Sequence, residues 1–504
     1  MFTSPKDLAS LEMTCNWMRS SRVMSRVVKR KLDGHLSECG FEDPNTNARK
    51  TKEQVMKQLI PRENETDTMI LEFLKRSSRA RSLACKIGLG SYHSAFLLRT
   101  PKCGNSGEEH SCADKSVESR ALLHTCGRGF HGQLGHGDFD RVGDPTVVRA
   151  AVSIDEPGSS SATTNLEIMK SLVAVACGGN HTCALTKDGK LLTWGLASSG
   201  ELGHGGWTPI EMARPRLVSS LSNLRVTSIA AGANHTIAIT SCCGVWTCGR
   251  GRHGQLGHGH FNDAGPLQRV NALSDRKIVG GAAGATHSVV YSADGAIYSW
   301  GANESGQLGH GAEVAAGEHG LWWPRRINAL RHEFVSSVAA GAHHTLVITK
   351  TGTLYAFGRN RHGALGLGDT SNSFLPERVD VHPDWMRPPN CPQPRIAAAA
   401  AGAYHSIVLC GLGRVYTCGT CNFGQLGQGD MTPTTMFSEV KYFNRSRHMY
   451  RVDAIAAGDN HCVAVDSNGD IHVWGRGDWG QLGLNSNRSY WEPERFLKGR
   501  LPED

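Results

Sequence analysis

From residue 86 onward the chain alternates short apolar runs with polar turns. His344-Thr345-Leu346-Val347-Ile348-Thr349 is a β-branched run, Lys350-Thr351-Gly352 a turn, and Thr353-Leu354-Tyr355-Ala356-Phe357 a second apolar arm. That pattern predicts a hairpin. Asp188-Gly189, Asp294-Gly295 and Asn468-Gly469 hold the same turn in other copies, and such pairs accept the positive φ of tight hairpins. Each hairpin sits in one frame: Gly-x-x-His ahead of it, an aromatic or Cys followed by Gly at its end, then Gly-Gln-Leu-Gly a few residues on. The His falls at His93, His181, His235, His287, His344, His405 and His461, and the Leu-Gly pair begins at Leu134, Leu202, Leu256, Leu308, Leu365, Leu426 and Leu482. Arms of about five residues cannot bury two faces alone, but small sheets stacked radially can. Seven such units predict a seven-bladed, all-β propeller.

Upstream the pattern changes. Ser4-Pro5 is a helix start, and Leu8, Leu11, Trp17, Met24, Val28 and Leu32 follow at partly helical spacing. Arg19, Arg22, Arg26, Lys29, Arg30 and Lys31 add six positive charges with no acid between them. A nuclear-import or nucleic-acid patch, an anionic-membrane helix and a solvated basic face all fit this stretch. Residues 40–66 are polar, as in a linker, and 66–83, with Ile70, Leu71, Phe73 and Leu74, predicts a second helix. The division is a short, partly helical N-terminal extension at 1–79, a propeller at 80–498 and a tail at 499–504.

The run AGxxHT…WGxxxxGQLGxG, clearest over 230–259 and 283–311, resembles the regulator-of-chromosome-condensation (RCC1-like) repeat family. The tryptophan–aspartate and kelch families differ in repeat length and signature. The resemblance implies a seven-bladed propeller whose blades begin in one repeat and end in the next. It also implies functional precedents. One is guanine-nucleotide exchange on the small GTPase Ran, with chromatin binding. Exchange works by differential binding and needs no nucleophile or cofactor. Its acidic contacts match a loop position held here by Phe130, Ser198, Arg252, Glu304, Arg361, Asn422 and Asp478, of which only Glu304 and Asp478 are acidic. No insertion matches the β-wedge of the founding member.

The family's ultraviolet-B photoreceptors carry Trp two residues before the repeat His. Here those positions are Ser91, Gly179, Ala233, Ala285, Ala342, Ala403 and Asp459, so that precedent fails on its defining residues. The remaining precedent is a non-catalytic interaction platform that presents loops to protein partners. The chain stops at Asp504, and no ligase-type domain is expected after the repeats. Trp322, Trp323 and Trp385, in segments longer than the basal repeat, are candidate anchors for a partner, and capping of the blades is the competing role.

Composition narrows the chemistry. Gly accounts for 59 of 504 residues without a collagen period, which fits many tight turns. The net charge of +8 is concentrated in residues 1–85, with 16 Lys and Arg against 11 acids, so a nucleic-acid groove along the propeller is not expected. Nucleic-acid or chromatin contact is instead one of the roles open to the basic N-terminus, beside a membrane helix and a solvated face. No apolar stretch approaches the ~18 residues of a membrane span. The 16 scattered Cys read as reduced thiols of a cytoplasmic or nuclear protein.

The chemistry-bearing side chains read as structural. Cys418-x-x-Cys421 stands where other copies have Trp-Gly, which makes it a packing pair. His136, His204, His258 and His310 follow Leu-Gly on a ring too wide for zinc and read as turn or partner-facing residues. The seven repeat His read as buried residues pinning backbone. Three copies replace the aromatic with Cys126, Cys248 or Cys418, and Trp246 is a candidate for the missing bulk in the second. Neither a phosphate loop nor a hydrolase or metalloprotease motif occurs, and no cofactor or metal is expected.

Overall fold

Each Gly-x-x-His frame is the turn between the first and second strands of a four-stranded antiparallel sheet, and the aromatic-Gly or Cys-Gly pair ends the third. In the third blade the strands are Val226–Ala231, His235–Thr240, Val245–Gly249 and Ala264–Arg269. The computed structural model describes residues 67–84, 86–99, 121–149, 167–205, 211–312, 320–381, 394–444 and 450–496. The basic leader, Trp385 and the tail at 499–504 lie outside the described residues. Seven sheets result, each with its strands in chain order, spanning 87–147, 172–217, 226–269, 278–326, 335–379, 396–439 and 452–496. The architecture is a seven-bladed propeller. Measured from His to His, blades 2 to 7 take their first strand from the preceding repeat, and blade 1 takes Ile87–Leu89 from ahead of the first His.

Apolar side chains alternate between the two faces of each sheet and meet those of the next blade. Phe96 and Leu98 of blade 1 pack on Val463, Val465 and Val473 of blade 7, while Ala95 and Leu97 pack on Val175, Ala184 and Leu192 of blade 2. The core is therefore a series of wedges between blades. The turns also join around the central channel. Ala233 N donates to the Gly284 carbonyl at 3.2 Å, Ala403 N to Asp459 at 3.0 Å, and Asp459 N to Gly90 at 3.3 Å, which closes blade 7 on blade 1. No strand is shared between those two blades among the described residues.

The helix expected over 66–83 is α1, Asp67–Ala84, and it crosses the boundary read at 79/80. It lies across the hairpin turns on the side of the ring away from the Gly-x-x-His turns. Phe73 covers Gly352 and Gly411 of blades 5 and 6, Ala80 joins the wedge between blades 6 and 7, and Leu83 the wedge between 7 and 1. Arg76 is buried. It donates to the carbonyls of Gly411 (3.0 Å) and Val452 (3.1 Å) and to the Asp453 carboxylate (2.6 Å), with Arg79 3.1 Å from the other carboxylate oxygen.

Candidate partner-binding face

The seven repeat His form a continuous circuit. In each, Nε2 lies 2.9–3.1 Å from the residue that follows the His of the next blade: Thr182, Thr236, Ser288, Thr345, Ser406, Cys462 and, from His461 across the seam, Ser94. Each of these groups donates onward to a backbone carbonyl in the Gly-Gln-Leu-Gly segment, at 2.6–2.8 Å for the six hydroxyls and 3.4 Å for the thiol. A hydroxyl has one proton, so it accepts from the imidazole, which is neutral with its hydrogen on Nε2. Burial pushes these His pKa values down to about 3, or about 4 at His181 and His405. The Gly of Gly-x-x-His is required by contact. A Cβ on Gly178 would stand 2.2 Å from the His181 ring. The circuit commits Nε2 of all seven imidazoles to holding blades together.

The aromatic position belongs to the same wiring. The indoles of Trp194, Trp300 and Trp474 donate to the carbonyls of Gln133, Gln255 and Gln425, and the thiols of Cys126, Cys248 and Cys418 aim at the equivalent carbonyls of Gln481, Glu201 and Ala364 at 3.4–3.6 Å. The lost volume is returned from the fourth strand. Blades with Trp or Phe carry Pro215, Pro324, Pro376 or Pro493 there, whereas the Cys248 and Cys418 blades carry Leu267 and Phe437, packed against the Leu-Gly glycines. Beside Cys126, Phe496 and Pro145 fill the slot. Trp246 packs, partly buried, against the same cluster as Cys248 and Leu267. His136, His204, His258 and His310, read from sequence as turn or partner-facing residues, each bond a third-strand hydroxyl at 2.8–3.0 Å, which ties the turn to its own blade.

The Gly-x-x-His turns and the loops leading to Gly-Gln-Leu-Gly share one face of the ring. The first loop residue after the third strand is Arg in four blades: Arg128, Arg250, Arg359 and Arg476, all half-buried. The third is Phe130, Ser198, Arg252, Glu304, Arg361, Asn422 or Asp478. Across these two positions six arginines stand against two acids. Aromatic rings frame the arginines. The Arg128 guanidinium lies 5.4, 4.9 and 5.2 Å from the ring centres of Tyr92, Phe130 and Trp479, Arg476 lies 5.4 and 4.6 Å from Tyr92 and Phe423, and Arg359 5.7 Å from Tyr404. Arg476 grips Asp478 through Nε and Nη2 at 2.8–3.0 Å, so Asp478 is already paired within the chain. Glu304 is exposed. Asp459 lines the channel mouth among glycine and alanine backbone, and burial raises its pKa.

A sequence profile of the RCC1-like domain matches residues 122–501. The chain belongs to the RCC1-like domain family. The ultraviolet-B receptor UVR8 of Arabidopsis thaliana is 29% identical over 384 residues, covering 76% of this chain and 78% of that protein. RUG3, an Arabidopsis thaliana RCC1 domain-containing protein named as mitochondrial, is 30% identical over 72% of this chain and 79% of its own. The human E3 ubiquitin-protein ligase HERC2 is 29% identical over 69% of this chain but only 7% of HERC2. Among solved structures, human WBSCR16 and yeast RCC1 (Prp20) bound to Kap60 each superpose with a TM-score of 0.60 at 21% identity. They cover 75% and 83% of this chain and 94% and 86% of their own.

On this RCC1-like ring Trp322 and Trp323 lie in a fourth strand, Leu321–Arg326, of blade 4, 44% and 47% exposed, and the Trp322 backbone runs against Gly254 of the blade 3 loop that carries Arg250 and Arg252. Trp322 packs edge-on to Phe261, and Trp323 covers Gly259. The structure does not bring them to Glu304 and Asp478. Sequence reasoning compared the third loop position and passed over the first, where the arginines recur. The signal was one residue after each aromatic-Gly or Cys-Gly pair.

Proposed function

We propose that this chain is a non-catalytic protein-interaction propeller that engages a protein partner through the face bearing the Gly-x-x-His turns. The cluster of Tyr92, Arg128, Phe130, Phe423, Arg476 and Trp479 supports this reading, because interface anchors are enriched in Tyr, Trp and Arg. A photo-cross-linking residue placed at Phe130 is expected to capture a discrete protein. The same residue at Leu412, exposed on a hairpin turn of the opposite side, is expected not to. Capture from Leu412 alone overturns the choice of face.

Exchange on a Ran-type GTPase is the second reading. The yeast neighbour Prp20p is described with its binding properties to Gsp1p and histones. Asp478, one of the two acids that recommended exchange, is neutralised by Arg476. Release of a fluorescent GDP analogue from a GTPase panel, accelerated by this chain and abolished by Glu304→Ala, would move exchange ahead of the scaffold reading. A cytoplasmic or nuclear location fits the ten described cysteines, all unpaired. No helix among the described residues is long and apolar enough to cross a membrane.

A further inference from the structure

In four blades an arginine follows the third strand, and among the described residues only blade 7 supplies its counter-ion. There the order is Arg476-Gly477-Asp478, and the carboxylate closes back on the guanidinium two residues away. In the same register blade 1 has Arg128-Gly129-Phe130, blade 3 Arg250-Gly251-Arg252 and blade 5 Arg359-Asn360-Arg361. None of Arg128, Arg250 and Arg359 has a carboxylate within ion-pairing distance among the described residues. Arg128 is held in place all the same, against three rings, with a buried Nε that has no acceptor. A guanidinium fixed before binding loses little freedom when a forked acceptor arrives.

We propose that Arg128, Arg250 and Arg359 receive carboxylates from an acidic segment of a protein partner, in the way Arg476 receives Asp478. This deepens the interaction-platform reading and rests on it. The Arg476–Asp478 pair shows the loop position gripping a carboxylate through two nitrogens. A second copy of the chain is disfavoured as occupant, because six arginines against two acids would face their like. Single-stranded nucleic acid needs open aromatic faces for base stacking. Here guanidinium groups cover Tyr92, Phe130, Phe423 and Trp479, or those rings meet edge to face.

The test is fluorescence anisotropy of a labelled poly-glutamate peptide with the full chain, repeated at raised salt. Arg128→Gln is expected to weaken binding about tenfold. Arg269→Gln, the same charge change on an exposed fourth-strand residue, is expected to leave it unaltered. Asp478→Ala, which releases Arg476, is expected to tighten it. Equal loss from Arg269→Gln, or no gain from Asp478→Ala, overturns the proposal. So does an oligonucleotide of matched charge that binds more tightly through Arg128. If the Phe130 cross-link persists in the Arg128→Gln chain, the platform stands and acid recognition falls.

Discussion

At the residue scale, the seven imidazoles make stability depend on pH in an unusual window. A His in the unfolded chain takes its proton near 6.5, while in the fold it resists protonation down to about 3–4. Between those values the unfolded chain binds more protons. The contribution is therefore complete above 6.5 and is lost as the pH falls toward 4. Each imidazole adds up to about 1.4 kcal/mol per pH unit. The urea midpoint should drop steeply from about pH 7 to about pH 5, before carboxylates titrate, and a flat midpoint there would refute the assignment of neutral His. A single break has a definite cost too. Ser288→Ala removes the acceptor of His235, leaves its Nε2 hydrogen buried and unpaired, and should cost about 1–3 kcal/mol by chemical denaturation. Cys462→Ser should be neutral or stabilising, since a hydroxyl replaces the weaker thiol donor.

At the scale of the element, hairpin turns carry the test. The turn between second and third strands uses Gly189, Gly295, Gly352, Gly413 and Gly469 at positive φ in five blades, but blade 3 places Cys243 there at φ 61°. A side chain in that conformation is strained by about 1–2 kcal/mol. Cys243→Gly should therefore raise the thermal midpoint despite the added freedom of the unfolded chain, and a lowered midpoint would show that the thiol does more than fill the turn. These elements were largely legible in the sequence, because Asp-Gly turns, β-branched arms and the Gly-x-x-His frame are local signals. The helix over 66–83 was legible from its apolar spacing. What escaped were terms set by neighbours in space. Leu267 and Phe437 compensate cysteines in a different strand, Asp478 pairs with Arg476 and so is no open acid, and Trp322 and Trp323 lie in a fourth strand packed on the loop of the preceding blade. A repeat alignment ranks positions by type. It does not show which way the next blade turns them.

At the scale of the whole molecule, the seam between blades 7 and 1 is held without a shared strand among the described residues. It relies on His461 to Ser94, Asp459 to Gly90, the Phe96–Phe496 contact and helix α1 across blades 5, 6 and 7. Arg76→Met would strip Asp453 of its buried partner and should cost about 3–5 kcal/mol. Amide exchange should then quicken first in α1 and the first strand of blade 7, Val452–Ala457; uniform quickening around the ring would mean that α1 is not the clasp. The seam has a further consequence for synthesis. Chains leave the ribosome N-terminus first, so Arg76 and Ser94 emerge more than three hundred residues before Asp453 and His461. Until the last blade emerges, the faces of blades 1 and 6 that it covers have no partner within the chain. Truncated or stalled products should therefore be the species that chaperones hold.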